Sequence, residues 1–224
     1  MRSGTLRNSP YIVDKYNTFS TKTIEVPIDF IGMHCHRYPI YSGSYDSGKP
    51  PFDFGTWRTH DSDIGGWKAI NTAPGVYDWS KLDTCVDVFH TQQGKEIIYT
   101  VFGTPTWAAK TADALKQGPY GGYGELGVPA DLKSLEDFII ALVTRYKGKI
   151  NTIEIWNEPQ FGIPNTNPLC FFWGTAIEML QMGITISQAA KSIDPNITIL
   201  SPGFMNSTTD ILSLIHISEP TRPY

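Results

Sequence analysis

The chain has 224 residues, of which 41% are hydrophobic and 18% are charged, and its formal net charge is −4. This composition is typical of a globular protein with room for one large domain or two small ones. The negative charge gives no basic footprint for nucleic acid, and no apolar run is long enough to span a bilayer. We therefore expect neither a nucleic acid nor a membrane as a partner. The three cysteines are too few and too scattered to predict a disulfide framework or a metal site.

The first half of the chain predicts three strands and one long helix. Apolar stretches with polar ends, at 26–37 and 51–61, predict the first and second strands. The stretch "DWSKLDTCVDVFHTQQG" predicts a helix in which Ser80 and Asp83 form a capping pair. The apolar stretch at 95–105 predicts a buried third strand.

The second half predicts two further strands and two further helices. After the Gly-rich loop "QGPYGGYGELGVP", an apolar stripe predicts a helix with Ser134 and Asp137 as its capping pair. The stretch "INTIEIWNEPQFG" predicts a fourth strand that runs directly into a carboxylate. A helix over 175–193, with Thr175 and Glu178 as its capping pair, leads to a fifth strand in "NITILSPGF".

Strand–helix alternation at this short spacing predicts parallel strands joined by helical crossovers. Each strand is nearly continuously apolar, which is typical of strands covered on both faces. A doubly wound sheet and a (β/α)8 barrel both fit, but the phosphate-binding Gly fingerprint that would favour the doubly wound sheet is missing after the first strand.

Polar residues and tryptophans instead follow the carboxyl ends of successive predicted strands. They are His34, His36, Arg58, His60, Asp61, Trp107, Asn157, Glu158 and Ser201. Those ends converge on one mouth in a barrel, where active sites lie. The predicted fold class is therefore α/β, a (β/α)8 TIM barrel that is incomplete, with about strands 1–5 present.

The end of the fourth strand, Asn157-Glu158-Pro159, resembles the acid/base motif of glycoside hydrolase clan A. Over about 28–203, the chain is similar to glycoside hydrolase family thirty-nine, the β-xylosidase-like group. The similar stretches are "FIGMHCHRYP", "FGTWRTHD", "GVYDWSKLDTCVDVFHTQQGKEIIYTVFGTPTWAA" and "TRYKGKINTIEIWNEPQ". This resemblance implies a retaining glycosidase that cleaves O-glycosidic bonds of β-linked saccharides, with an oligo- or polysaccharide substrate and no cofactor.

The resemblance implies roles for three residues. Glu158 would protonate the departing glycosidic oxygen and then act as base on the water that releases the glycosyl-enzyme. Because it precedes Pro159, we also expect Glu158 to have extended backbone geometry. Asn157 would bind the sugar 2-hydroxyl. Arg58 would support the nucleophile, and a salt bridge to Glu154 inside the barrel is an alternative that does not exclude this role.

Four more side chains are candidate substrate contacts. Trp107 and Trp156 would wall a sugar subsite or else belong to the core. His34 and His36 lie where first-strand residues of the family line the cleft, although a structural hydrogen-bonding role is an open alternative for each. The family's nucleophile is a Glu on the seventh strand, and no Glu in 159–211 has that setting. The resemblance therefore implies that this chain contains no nucleophile and is inactive alone.

We expect the end of the chain to have a different origin from the rest. "LSLIHISEPTR" resembles the translation of a common transposase-type sequencing adapter. We therefore expect the native sequence to break off near Ile211, so that His216 and Glu219 take no part in function. The predicted division is an N-terminal lead segment (1–24), a partial catalytic barrel (25–211) and an adapter-derived tail (212–224).

The sequence also allows other functions. A non-catalytic carbohydrate-binding barrel that has lost its nucleophile is the main alternative. An aldolase or a flavin oxidoreductase would require a Schiff-base lysine or a phosphate-binding Gly loop, and neither is found. The function class favours secretion, although Met1–Lys15 lacks the apolar region of a signal peptide. The sequence does not predict the oligomeric state.

Overall fold

A computed structural model describes residues 26–36, 38–40, 50–60, 64, 66–119, 122–160 and 170–203. The predicted lead segment (1–24) and the adapter-like tail (212–224) lie outside these described residues, and so does Asp61. The predicted domain boundaries therefore stay predictions. The strands and helices predicted between them can be compared with the structure.

Five short strands form one parallel sheet in the described part of the chain. They are β1 (Gly32–His34), β2 (Thr56–Arg58), β5 (Glu96–Thr100), β6 (Thr152–Glu154) and β7 (Thr198–Leu200), while β3 (Asn71–Ala73) and β4 (Val76–Tyr77) form a separate antiparallel hairpin. The spatial order of the sheet, β1-β2-β5-β6-β7, follows the order of the chain. A doubly wound sheet reverses its strand order at a switch point, whereas this sheet does not. The predicted α/β fold, an incomplete barrel, is confirmed.

Helices connect the strands of the sheet. The long ones are α2 (Ser80–Val86), which continues as a π-helix (Asp87–Gln92), α4 (Leu132–Tyr146) and α5 (Ala176–Ile193), and the short ones are α1 (Trp67–Ile70) and α3 (Thr111–Ala114). α4 and α5 pack against each other. Each long helix returns the chain to the start of the next parallel strand, as the alternation predicts.

The two faces of the sheet differ in chemistry. Trp57, Tyr99 and Ile153 are fully buried, and Trp57 stacks on Phe89 of the π-helix with 4.3 Å between ring centroids. Because side chains alternate along a strand, the neighbouring positions at the ends of β2, β5 and β6 face the opposite way. Those positions are Arg58, Thr100 and Glu154. The face that carries Arg58, Thr100 and Glu154 is called the inner face below. The prediction of nearly continuously apolar strands is wrong for this face, which is polar at its carboxyl edge.

One of the three predicted capping pairs is confirmed. At the start of α5, Thr175 Oγ1 accepts a hydrogen bond from the Glu178 backbone N–H at 3.2 Å, and Glu178 Oε2 accepts one from the Thr175 backbone N–H at 2.8 Å. This is a reciprocal capping box, which satisfies two backbone donors that the helix itself leaves without a partner.

The other two predicted caps are wrong. An aspartate two or three residues upstream of each predicted serine accepts the hydrogen bond instead. Asp78 Oδ1 accepts from the Ser80 backbone N–H, and Asp131 Oδ1 accepts from the Ser134 backbone N–H, both at 3.0 Å. Serine and aspartate cap helices about equally well, so the pattern alone favours neither residue.

The sequence patterns predict neither α1 nor the β3–β4 hairpin. Gly75 in the hairpin turn has a φ of 70°, which favours glycine. Asn71 closes the turn by donating from Nδ2 to the carbonyl oxygens of Ala73 and Val76, at 2.7 and 3.1 Å. Since the two strands have only three and two residues, no alternation can be recognised in them. The hairpin follows β2 and therefore belongs to the loops at the carboxyl edge of the sheet.

The capping box gives a test of the helix start. We expect Thr175→Ala to lower the free energy of unfolding by about 1 kcal/mol, because the Glu178 backbone N–H loses its acceptor. Thr185→Ala is the matched control. Thr185 lies inside α5, where its hydroxyl donates to the Gln181 carbonyl, and alanine has the higher helix propensity. Urea denaturation followed by far-UV circular dichroism measures both variants, and equal effects would contradict the capping role.

Candidate active site

An ion pair joins the carboxyl ends of β2 and β6. Glu154 Oε2 lies 2.8 Å from both Nε and Nη2 of Arg58. Thr100, at the end of the intervening strand β5, donates its hydroxyl to the same oxygen at 2.7 Å. The Glu154 side chain is 8% exposed and that of Arg58 is 26% exposed, so water screens the attraction only partly. The salt bridge anticipated for Arg58 is therefore present.

Arg58 also holds Asn157. Its Nη2 donates to Asn157 Oδ1 at 2.7 Å, and Asn157 forms an isolated parallel bridge with Gly203, just beyond β7. A guanidinium has only donors, so the amide oxygen must face Arg58 and the amide nitrogen must point away from it. Sequence reasoning places Arg58 and Asn157 in one mouth, and the structure brings them into contact.

Glu158 has an unusual backbone conformation. Its φ is 49°, and it is the only residue other than glycine with a positive φ in the described part of the chain. The expectation of extended geometry before Pro159 is therefore wrong. The Glu158 backbone N–H donates to the Gly203 carbonyl at 2.7 Å, and the Gln160 backbone N–H donates to the Glu158 carbonyl at 2.7 Å. These bonds outweigh the local preference, and strain of this kind concentrates at functional sites.

Glu158 lies on the same edge of the sheet as Arg58. Arg58 ends β2, and Glu158 follows the parallel strand β6 by four residues. Parallel strands present their carboxyl ends at one edge, so the two residues share the edge at which barrel enzymes perform catalysis. Glu158 is half-buried there.

Trp156 belongs to the core. It is 0% exposed, its Nε1 donates to the Phe171 carbonyl at 3.0 Å, and its ring lies 5.1 Å from Phe102 and 5.4 Å from Phe172 between centroids. A ring without exposed surface cannot contact a sugar. The structure therefore corrects the prediction that Trp156 binds substrate, and the core alternative describes it.

Trp107 is placed differently. It follows β5, is 36% exposed, and donates from Nε1 to the Asn71 carbonyl at 2.9 Å. This bond ties the loop after β5 to the β3–β4 hairpin. Part of the ring faces solvent at the carboxyl edge, so its contact with a saccharide stays a prediction that the geometry allows.

His34 and His36 are exposed at the end of β1. Their rings stack with 5.2 Å between centroids, and His34 lies 6.0 Å from the ring of buried His60. His60 in turn meets the edge of Phe102 at 5.0 Å. The histidines therefore form one group beside the ends of β1 and β2, and their role in binding stays a prediction.

Two features of this edge do not follow from the sequence patterns. Thr100 bonds Glu154 because the two residues are paired in the β5–β6 register, and register is not visible in a single strand.

Glu125 in the Gly-rich loop is fully buried and forms an ion pair with Lys68 of α1. Side chains at Gly118 and Gly122 would clash with its carboxylate, so the glycines of this loop are the signal that could have indicated a buried group.

Clusters of metal ligands and membrane-spanning helices are both absent from the described residues. Within the described ranges, no group of three or more His, Cys, Asp or Glu side chains could hold a metal ion. No described helix has both the length and the apolar character needed to cross a bilayer.

No family model matches the sequence, and no curated protein matches it. Solved structures do. Xylanase XynB from Paenibacillus barcinonensis, in complex with a conduramine derivative, is 16% identical with a TM-score of 0.51, over 74% of this chain and 48% of that one. Xylanase B from Clostridium stercorarium F9 is 17% identical with a TM-score of 0.50, over 74% and 51%. A family 39 glycoside hydrolase from the gut symbiont Bacteroides cellulosilyticus WH2 is 16% identical with a TM-score of 0.46, over 66% and 26%.

At these identities, the two xylanases show a shared fold and nothing more. The TM-score of the family 39 hydrolase is too low to carry an argument, so the resemblance to family thirty-nine stays a prediction. The chain spans about half the length of the two xylanases and about a quarter of the length of the family 39 hydrolase. These comparisons therefore do not establish the activity of a longer protein that contains this chain.

The ion pair gives a second test. We expect Arg58→Met to lower the free energy of unfolding by about 3 kcal/mol, because it leaves the buried Glu154 carboxylate without its counter-charge. The measurement is urea denaturation at neutral pH.

Arg145→Met is the matched control for this change. Arg145 donates to Asp83 at 2.9 and 2.6 Å and holds the pKa of Asp83 below its ordinary value, but both side chains are more than two-fifths exposed. Its loss should cost about 1 kcal/mol or less. If Arg58→Met cost no more than Arg145→Met, the ion pair would not be a stabilising contact of the sheet.

Proposed function

We propose that this chain is part of a longer retaining glycoside hydrolase that cleaves β-linked saccharides. The observation that carries the proposal is the placement of Asn157-Glu158-Pro159 directly after β6, with Asn157 held by Arg58 from β2. The motif on its own is short. Its support comes from lying at the carboxyl edge of an unreversed parallel sheet, which the chain shares with two xylanases.

Glu158 is the proposed general acid and base. In the first step its carboxyl proton passes to the glycosidic oxygen as the bond from that oxygen to the anomeric carbon breaks, and a second carboxylate bonds to the anomeric carbon. In the second step ionised Glu158 takes a proton from water, and the water oxygen replaces the enzyme carboxylate at the anomeric carbon. A retaining mechanism of this kind requires two carboxyl groups about 5–5.5 Å apart.

We propose that the described part of this chain does not supply the second carboxylate. Glu154 lies on the inner face, but its carboxylate is committed to Arg58 and Thr100. Glu178 belongs to the capping box of α5. We propose that the nucleophile comes from a later strand of a longer protein, in line with the resemblance to family thirty-nine and with the half-length coverage of the two xylanases.

We propose a β-xyloside or a similar β-linked oligo- or polysaccharide as the substrate. The exposed part of Trp107 offers an apolar surface for the C–H face of a sugar ring, and His34 and His36 offer hydrogen-bonding groups on the same edge of the sheet. Asn157 would donate from Nδ2 to the sugar 2-hydroxyl, since its Oδ1 is occupied by Arg58.

The acid/base role is tested in the intact parent protein with Glu158→Gln. We expect turnover to fall about 10²–10⁴-fold for glycosides with poor leaving groups, which need protonation. Aryl glycosides with activated leaving groups should lose much less in the first step, since their oxygen departs without a proton. The measurement is kcat/KM across a series of aryl β-xylosides.

Glu178→Gln is the control for this change, because it removes a carboxylate of the same size that lies at the start of α5. It should leave the leaving-group dependence unaltered. Equal and small losses for all leaving groups in Glu158→Gln would refute the acid/base assignment. A parent that binds saccharides without hydrolysing them would instead favour the carbohydrate-binding barrel.

The missing nucleophile gives a further prediction. Residues 1–224 expressed alone should hydrolyse none of the aryl β-xylosides that the parent hydrolyses, because the two-step mechanism lacks its first covalent partner. The assay compares equal concentrations of the fragment and the parent. Turnover by the fragment that disappears in Glu158→Gln would show that the nucleophile lies within this chain.

A further inference from the structure

We infer that Glu154 is a positioning residue, which acts through Arg58 to aim the amide of Asn157 at the 2-hydroxyl of the sugar. This inference rests on the proposed function and adds to it a residue to which the resemblance gives no catalytic role. The observations that carry it are the three contacts at Glu154 Oε2 and the one contact at Asn157 Oδ1.

The first step is the immobilisation of the Arg58 guanidinium. Glu154 Oε2 lies 2.8 Å from both Nε and Nη2, so two neighbouring nitrogens of one planar group meet the same oxygen. Thr100 fixes that oxygen from β5, the strand between β2 and β6. A planar fork held at two of its nitrogens has a defined orientation.

The second step is the orientation of the Asn157 amide. Nη2, which faces Glu154, also donates to Asn157 Oδ1 at 2.7 Å. Arginine cannot accept a hydrogen bond, so the reversed amide would place two donors against each other. Within the described residues, no group accepts a hydrogen bond from Asn157 Nδ2. The NH₂ group is thereby left as a donor on the side away from Arg58.

The third step is the contribution of the negative charge at position 154. Without a negative charge, the two bonds from the guanidinium to Oε2 would lose their charge assistance, and the plane of Arg58 that orients Asn157 would be less firmly held. Gly203 supports the same arrangement, since a Cβ there would lie 3.3 Å from Glu154 Oε1 and 3.7 Å from Arg58 Nη2. The close approach of the backbone at Gly203, just beyond β7, therefore leaves the pair little room to rearrange.

The test compares 2-hydroxy and 2-deoxy aryl β-glycosides as substrates of the intact parent protein. For each variant, the ratio of the two kcat/KM values is divided by the wild-type ratio. This division cancels the intrinsic reactivity of each sugar. We expect Glu154→Gln to reduce kcat/KM for the 2-hydroxy substrate by about 10²-fold, the typical effect of losing one aimed donor. The 2-deoxy substrate should change much less.

Three further variants complete the design. Asn157→Ala should abolish the discrimination, and adding Glu154→Gln to it should change the ratio no further, because the two residues act in series. Glu178→Gln, the same substitution in the capping box of α5, should keep the wild-type ratio. If Glu154 had only a structural role, Glu154→Gln would lower kcat/KM for both substrates alike. The ratio would then stay at its wild-type value, and this result would overturn the inference.

The remaining outcomes are also decisive. If Glu154→Gln does not fold, Glu154→Asp is measured in its place, because its shorter carboxylate keeps the charge but withdraws from Arg58. If the parent binds saccharides without hydrolysing them, catalysis is refuted, while the same ratio taken from dissociation constants still tests Glu154. If the parent neither binds nor hydrolyses either sugar, the proposed function and this inference both fail.

Discussion

The ion pair between Arg58 and Glu154 is the interaction on which the arrangement of the carboxyl edge depends. Two opposite charges with little exposure to water are costly apart and tolerable together. A slip of one residue in β2 or β6 would turn one of them toward the apolar helices and leave the other alone. The pair therefore fixes the register of β2, β5 and β6, and the same register brings Thr100 and Asn157 within bonding distance.

The loops above this edge are held in a different way, through main-chain carbonyls. Trp107 donates to the carbonyl of Asn71, and Asn71 uses its own amide to close the β3–β4 hairpin. The hairpin and the loop after β5 are thus coupled through one residue. The ends of the strands form a polar surface at the carboxyl edge of the sheet. The hairpin and the loop after β5 lie beside this surface, and their geometry fixes the position of the exposed Trp107 ring.

Much of the fold could be predicted from local patterns, because strand–helix alternation and apolar stripes extend over many residues. The strand bounds could not, since each strand of the sheet has only three to five residues and a polar inner face interrupts the apolar pattern. The hairpin is too short to have a period. The role of Thr100 depends on its partner in another strand, which no local pattern contains.

In the candidate site too, features that depend on local sequence could be predicted, whereas features that depend on distant residues could not. The motif around Glu158 places the residue at the correct edge, because position in the chain and strand direction suffice for that. Its backbone conformation does not follow from the motif, since the preference imposed by Pro159 is local while the opposing hydrogen bond comes from Gly203, forty-five residues further along. The burial of Trp156 likewise depends on Phe102 and Phe172, which lie on two other segments.

The left-handed backbone at Glu158 also has an evolutionary consequence. A residue with a Cβ costs roughly 1–2 kcal/mol in that conformation, whereas glycine does not, so stability alone would favour glycine or asparagine at this codon. As long as chemistry at this position contributes to fitness, selection opposes that drift. Under the proposed function, a lineage that had abandoned catalysis would change position 158 among the first, and the change would make the protein more stable.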